Sequence, residues 1–205
     1  ETFHQYDGVL GNIFVDKPAI LGLFVVRNGI CHPRFGIHAL RNAGKEAFHS
    51  GLHGIGVDVA EDNDRLLVVN SLLYHNYQYG DIVILRKDGA FDNEPIVKRV
   101  IAVGGQTVDI DFDEGIVYVD GAALEEPYIR EPTYTAEGTE FPLTVPEGSV
   151  FVMGDNRNGS SDSRDYRLGT VDTRYVIGKA AFLIFPGPDY ETEKRDFKRI
   201  GVIWS

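Results

Sequence analysis

The polar residues at positions 154–164 form the densest cluster of hydrogen-bonding side chains in the chain. Their sequence is GDNRNGSSDSR, and it directly follows the apolar run at 150–153. Two interpretations are open. Asn, Asp, Ser and Gly satisfy the backbone of a turn locally, which favours a polar turn. Donors and acceptors at the end of a buried strand are also typical of a functional loop.

A lysine within an apolar run is the second candidate for chemistry. Lys98 lies in the segment IVKRVI at 96–101, and an extended strand directs Lys98 and Arg99 to opposite faces. Desolvation among β-branched residues lowers the pKa of a lysine, so that the neutral amine can act as a base. The alternative is a lysine that protects an edge strand against pairing with another chain.

Short strands must position both groups. Branched and aromatic runs bounded by Gly, Asp, Asn or Pro predict strands at 65–69, 81–85, 96–103, 115–119, 149–153 and 180–185. Asp120-Gly121 predicts a two-residue hairpin turn. Because no long helical periods separate these runs, antiparallel sheets are favoured over βαβ units. The predicted fold class is mainly β, an antiparallel core with a smaller inserted cap subdomain.

The chain divides into three regions by pattern. Residues 57–105 and 148–205 are predicted to form the β core, and residues 106–147 the inserted cap. The cap ends in a polar stretch, 121–147, that contains four prolines. Residues 1–56 remain unassigned, apart from one amphipathic helix predicted at 37–49.

Composition excludes several function classes. The 205 residues carry a formal net charge of −11, which opposes nucleic-acid binding. The single cysteine, Cys31, excludes an intramolecular disulfide. The apolar stretch at 19–26 is shorter than the ~20 residues that a spanning helix needs, so the chain is predicted to be a soluble portion. His49 and His53 are predicted to bind no metal, and the acidic residues at 111–114 are predicted to form a solvated turn.

These motifs together resemble the type I signal peptidase family. GDNR and SDSR follow the strand VFVMGD, and VKRVIAVGGQTVDI lies upstream. Further strings agree in the family's order, among them NDRLLVVNSLLYHNYQYGDIVILR at 63–86 and FPLTVPEGSVFVMGD at 141–155. The resemblance extends over roughly residues 57–205.

The resemblance implies a serine–lysine endopeptidase that removes signal peptides from exported preproteins. Lys98 matches the family's general base, and Ser160 matches the serine that orients that lysine. The other matched residues brace the site: Asp162 and Arg164 as an ion pair, and Asp155, Asn156 and Arg157 as the structural opening of the motif. No metal or organic cofactor is implied. The implied partners are extended segments of preproteins, and the implied location is the extracytoplasmic face of the bacterial cell membrane, held by an anchor outside this chain.

One motif of the family is absent. The nucleophile normally lies in a Ser-Met-x-Pro-Thr-Leu segment, which this sequence does not contain. Counting back from Lys98 by the family's usual spacing places Asp58 at the position of the nucleophile. A second alignment register places Ile55 at that position. The alternative is therefore a catalytically silent homologue that binds secreted or pilin precursors and assists their assembly. A self-cleaving regulator of the repressor type is a weaker alternative, because residues 1–56 carry few basic residues.

Overall fold

Antiparallel strands form the framework of the chain, as its short branched runs predict. A computed structural model describes residues 21–27, 30–33, 63–188 and 193–203. Within these ranges the strands are β1 (Leu21–Arg27), β2 (Ile30–Pro33), β3 (Arg65–Asn70), β4 (Ile82–Leu85), β5 (Ile96–Val103), β6 (Thr107–Asp111), β7 (Ile116–Val119), β8 (Ala122–Ala123), β9 (Leu143–Thr144), β10 (Ser149–Met153), β11 (Val171–Asp172), β12 (Val176–Phe185) and β13 (Gly201–Val202). The mainly β, antiparallel class predicted from the sequence is confirmed.

Six of these strands close into a ring. The order β5-β2-β1-β3-β12 runs along the larger sheet, and β4 pairs with both β12 and β5. The ring is thus a small closed barrel, a solution that leaves few unpaired strand edges. β10 and β11 extend the sheet beyond β5, and β13 extends it beyond β12.

The two edges of β5 have different partners. Along one edge, β4 pairs continuously from Leu85 opposite Ile96 to Ile82 opposite Arg99. Along the other edge, β2 pairs at Ile96, and β10 pairs from Arg99 onward. Between these two partners, no strand of the described residues pairs with the second edge at positions 97 and 98. Lys98 therefore lies where β5 changes neighbours, inside the sheet.

The second sheet follows β5 along the chain and has the order β8-β7-β6-β9. The Asp120-Gly121 hairpin turn is confirmed, because Val119 pairs with Ala122 across it. Both turn residues have positive φ, 53° and 79°, as a two-residue turn of this kind requires. A buried cluster that includes Ile101, Phe151 and Val108 joins this sheet to β5 and β10.

Two strands lie in the region that has no assignment from its sequence pattern. β1 and β2 belong to residues 1–56, and both are members of the barrel. The helix predicted at 37–49, the histidines His49 and His53, and Asp58 lie outside the described residues. The helices that the structure does describe are single turns of three residues, and none is long enough to cross a bilayer.

Candidate active site

Lys98 is fully buried on β5 and donates a hydrogen bond to Ser160. The distance from Lys98 Nζ to Ser160 Oγ is 2.8 Å, and the lysine has 0% of its surface exposed. β5 has β4 on one edge and β2 and β10 on the other, so Lys98 does not protect an edge strand. Its position fits the interpretation as a desolvated amine.

Burial is the dominant influence on the amine of Lys98. It lowers the pKa of Lys98 from its usual range to about 8, because the apolar surroundings penalise the charged form. The negative charge of Asp162 opposes this change, and the positive charge of Arg164 adds to it. Near pH 8 the group is therefore present in both its neutral and its protonated form.

The loop at 154–164 is buried rather than solvated. Asp155, Arg157, Ser160, Asp162 and Arg164 are all at most 2% exposed. The loop also contains a local turn of the predicted kind, in which Asp162 Oδ1 accepts from the backbone N–H of Arg164. The loop begins directly after the end of β10. Just before that end, the pairing of β10 with β5 contains a β-bulge, and Ile101 of β5 is its extra residue.

A bidentate ion pair braces the loop from within. Arg164 Nε and Nη2 donate to the two carboxylate oxygens of Asp162, each at 2.8 Å. The same guanidinium donates to the carbonyl oxygens of Ser160, Arg157 and Thr135. Asp162 in turn accepts a 2.9 Å hydrogen bond from the backbone N–H of Gly154. The pair thus joins the two ends of the loop around Ser160.

A second ion pair holds the loop to the opposite face of β5. Arg99 Nε and Nη2 donate to Asp155 at 2.8 Å and 2.7 Å. The guanidinium carbon of Arg99 also lies 3.8 Å from the ring centroid of Tyr128, which belongs to the inserted region. Arg99 was not selected from the sequence as a site residue. Its place on β5 does not indicate a partner as distant along the chain as Asp155.

Arg157 and Asn158 attach the inserted region to the loop. Arg157 donates to both carboxylate oxygens of Glu126, at 2.7 Å for one of them, and to Thr133 Oγ1 at 2.8 Å. Asn158 accepts from the backbone N–H groups of Tyr134 and Thr135. Neither Glu126 nor Asn158 was predicted from the sequence.

The remaining predicted residues have simpler positions. Asn156 lies in the same loop, before the turn Arg157–Gly159, and its side chain does not cap that turn. The acidic turn is confirmed, because Asp111 Oδ1 accepts from the backbone N–H groups of Asp113 and Glu114. The described residues contain no group of three or more His, Cys, Asp and Glu side chains that could hold a metal ion.

Two other serines among the described residues have partners of their own. Ser163 Oγ accepts a hydrogen bond from the backbone N–H of Val152, so it supports β10. Ser71 follows β3, and its backbone N–H donates to Ile177. Within the described part of the chain, Ser160 is the one partner that Lys98 has for a hydrogen bond.

Gly154 is required for the contact between Lys98 and Ser160. A Cβ at position 154 would lie 2.5 Å from Ser160 Cβ and inside van der Waals contact with its Oγ. Gly154→Ala is therefore expected to displace Ser160 and to lower the free energy of unfolding by ~1–3 kcal/mol, as overpacking does. Chemical denaturation measures this decrease in the free energy of unfolding. Gly201→Ala is the matched control because a Cβ there meets nothing within 4 Å. Equal stabilities of the two variants would contradict the prediction.

The chain is similar to proteins of one known family. The family described as "Signal peptidase, peptidase S26" matches residues 57–185. A probable signal peptidase I-1 of Synechocystis sp. is 42% identical over 134 residues, which cover 62% of this chain and 64% of that protein. Signal peptidase I of Bacillus licheniformis is 41% identical, with 61% and 69% covered. Signal peptidase I of Mycobacterium tuberculosis is 46% identical, with 46% and 38% covered.

Among solved structures, a signal peptidase I from Enterococcus faecalis V583 is similar, with 33% identity and a TM-score of 0.41. The match covers 51% of this chain and 96% of that one. The chain spans from 38% to 69% of the length of the three relatives named above. The family match includes β3 to β12, with Lys98 and the whole loop at 154–164. The chain belongs to the type I signal peptidase family, peptidase S26.

Proposed function

We propose that this chain is the catalytic part of an endopeptidase that removes signal peptides from exported preproteins. The observation that carries the proposal is the buried Lys98 amine, which has Ser160 as its hydrogen-bond partner and a pKa lowered to about 8. An amine of this kind is a competent general base near neutral pH without a histidine. Membership of the signal peptidase family supports the substrate class.

Lys98 is the general base of this mechanism. The mechanism needs a nucleophilic hydroxyl, which no described residue other than Ser160 supplies beside Lys98; this hydroxyl would give its proton to Lys98 Nζ as its oxygen bonds to the scissile carbonyl carbon. The ammonium group then returns the proton to the leaving amine, and water hydrolyses the acyl ester in a second cycle of the same transfers. Ser160 orients Lys98, and the Asp162–Arg164 pair fixes Ser160. Because Ser160 is only 2% exposed, a positioning role suits it better than attack on a substrate.

The substrate is proposed to bind as an extended strand. An added strand of this kind forms main-chain hydrogen bonds with a strand of the protein, and this mode of binding is what the family implies. Small side chains at the −3 and −1 substrate positions then enter shallow pockets, as in the family.

We also propose that residues 106–147 form the cap, that an anchor outside this chain holds the protein at the membrane, and that the site faces the extracytoplasmic side.

The absence of a Ser-Met-x-Pro-Thr-Leu segment supports a second candidate function. In this case the protein binds secreted or pilin precursors at the same site without cleaving them. Intact mass and incubation with a peptide that contains an Ala-x-Ala site distinguish the two functions. Cleavage of the peptide establishes the enzyme. A mass equal to that of the printed sequence, together with no cleavage but measurable binding of the peptide, would overturn the enzyme and favour the silent homologue.

Cleavage is expected to depend on pH through Lys98. Because the folded-state pKa is lowered to about 8, the neutral amine accumulates as the pH rises through that value. The rate constant kcat/KM should therefore rise about tenfold per pH unit well below pH 8 and reach a plateau above it. A pH series with a fluorogenic peptide measures this limb. A rate that stays constant between pH 6 and pH 9 would contradict the assignment of the base.

A further inference from the structure

Arg157 is a buried cation at the start of the turn that leads to Ser160. Its side chain has 0% of its surface exposed. The turn spans Arg157–Gly159, and Ser160 is the residue that ends it. Arg164 Nη2 donates to the carbonyl oxygens of both Arg157 and Ser160. Because one guanidinium holds both ends of the turn, a displacement of Arg157 is expected to displace Ser160 as well.

Glu126 of the inserted region supplies the carboxylate that pairs with Arg157. Arg157 Nη1 donates to Glu126 Oε2 at 2.7 Å, and Nη2 donates to Oε1. The only further partner of this guanidinium among the described residues is Thr133 Oγ1, and its Nε has none. The Glu126 side chain is itself only 6% exposed. A cation buried in this way depends on its counter-charge, because solvent cannot replace it.

The Glu126 carboxylate is also held from its own side. The Tyr128 hydroxyl donates to Glu126 Oε1 at 3.0 Å and lies 2.9 Å from the hydroxyl of Tyr79. The ring of Tyr128 lies over the guanidinium of Arg99, which pairs with Asp155 at the beginning of the loop. The inserted region therefore presents a carboxylate of fixed orientation to the loop.

We propose that Glu126 is a positioning residue of the reaction. Through its ion pair with Arg157, it holds the turn where the Ser160 hydroxyl meets the base. The inference rests on the proposed function, in which Lys98 is the base that Ser160 orients. It gives the inserted region a part in the reaction, because the lysine has its hydrogen-bond partner in place only while this ion pair is formed.

A double-mutant cycle of Glu126→Gln and Ser160→Ala tests the proposal. Glu126→Gln keeps the size of the side chain and removes its charge. We expect kcat for a peptide with an Ala-x-Ala site to fall by at least ~10-fold, with KM changed by less than ~3-fold, at a temperature where the variant is folded. In the Ser160→Ala background, Glu126→Gln should cause no further loss of kcat. Equal fold-losses in the two backgrounds would overturn the proposal, because a general loss of stability acts independently of Ser160.

Glu125→Gln is the matched control. Glu125 precedes Glu126 in the chain and is exposed, so the variant removes the same charge from the same segment without breaking the ion pair. It should retain the kcat of the unmodified protein. A loss equal to that of Glu126→Gln would overturn the proposal, since the net charge of the segment would then determine the rate.

A second variant covers the case in which Glu126→Gln does not fold. Combining Glu126→Gln with Arg157→Gln removes both charges, and the removal of a whole buried pair is often tolerated. This protein should fold, but its kcat should remain at least ~10-fold low because the turn has lost its attachment to the inserted region. Full kcat in the folded double variant would overturn the proposal.

A measurement without substrate separates this inference from the proposed function. Since Lys98 Nζ and Ser160 Oγ are 2.8 Å apart, the two side chains should show nuclear Overhauser cross-peaks in the unmodified protein. These cross-peaks should be lost in Glu126→Gln and retained in Glu125→Gln. Their retention in Glu126→Gln would overturn the inference even if the peptide is cleaved. Their loss in a protein whose unmodified form cleaves nothing would overturn the proposed function and leave Glu126 established as the residue that positions Ser160.

Discussion

Lys98→Met is expected to abolish cleavage, with a loss of at least ~10²–10⁴-fold in kcat/KM, because the variant has no group to accept the nucleophile's proton. Methionine has a similar length and fits a fully buried position. It leaves the Ser160 hydroxyl without its donor, which costs ~1 kcal/mol, but it also removes the burial of an amine. The melting temperature should therefore change by only a few degrees.

The control for this variant is Lys198→Met, which removes an exposed lysine far along the chain from β5. It should retain full activity. Cleavage assays of both variants, together with thermal denaturation, separate chemistry from folding. If Lys98→Met loses its cooperative unfolding transition, Lys98 is a structural residue. If the variant cleaves at the rate of the unmodified protein, Lys98 is not the base.

Arg164→Met is expected to cause the largest loss of stability. The guanidinium is fully buried, forms a bidentate pair with Asp162, and donates to three backbone carbonyl groups. Its removal leaves a carboxylate buried without its cation. Breaking a buried pair in this way typically lowers the free energy of unfolding by ~3–5 kcal/mol. Urea denaturation should show this as a large decrease in the midpoint.

Arg174→Met is the matched control. Arg174 forms the same kind of pair with Asp172, two residues away, but its side chain is 86% exposed. Solvent screens an exposed pair, so this variant should unfold at nearly the same urea concentration as the unmodified protein. If the two variants lost equal stability, burial would not determine the strength of the Asp162–Arg164 pair.

The strand framework was largely predictable from the sequence. Branched runs bounded by turn residues gave β5 and β10 with the bounds that the structure has, and β3, β4 and β7 within one residue at either end. Each of these patterns is local, since turn residues and β-branched side chains act over a few positions. The predicted strand at 180–185 is the second half of the longer β12, which begins at Val176.

Several strands were not predicted, among them β1, β2 and β6, and for the first two the sequence shows a physical reason. β1 contains Gly22, and β2 is only four residues long with a proline at its end. Both features weaken the strand pattern. β1 and β2 are stabilised by the barrel, because β1 pairs with β3 over five positions. Such pairing depends on distant residues, which a local pattern does not contain.

The burial of the polar loop was likewise not predictable. Its composition is that of a polar turn, and nothing within 154–164 shows that its side chains are buried. The difference comes from partners that lie far along the sequence, such as Glu126 and Thr133 for Arg157 and Arg99 for Asp155. The predicted residues Lys98, Ser160, Asp162 and Arg164 do lie together, and their functional roles stay predictions.

The alternation of side chains along β5 has a mechanical consequence. Lys98 and Arg99 are neighbours on opposite faces of one strand, yet both bind the same loop, the first through Ser160 and the second through Asp155. The loop therefore contacts β5 on both faces. A shift of the loop along the strand would have to break both interactions at once. The distance between Lys98 and the Ser160 hydroxyl is thus set partly from the opposite face of β5, where Tyr128 packs on Arg99.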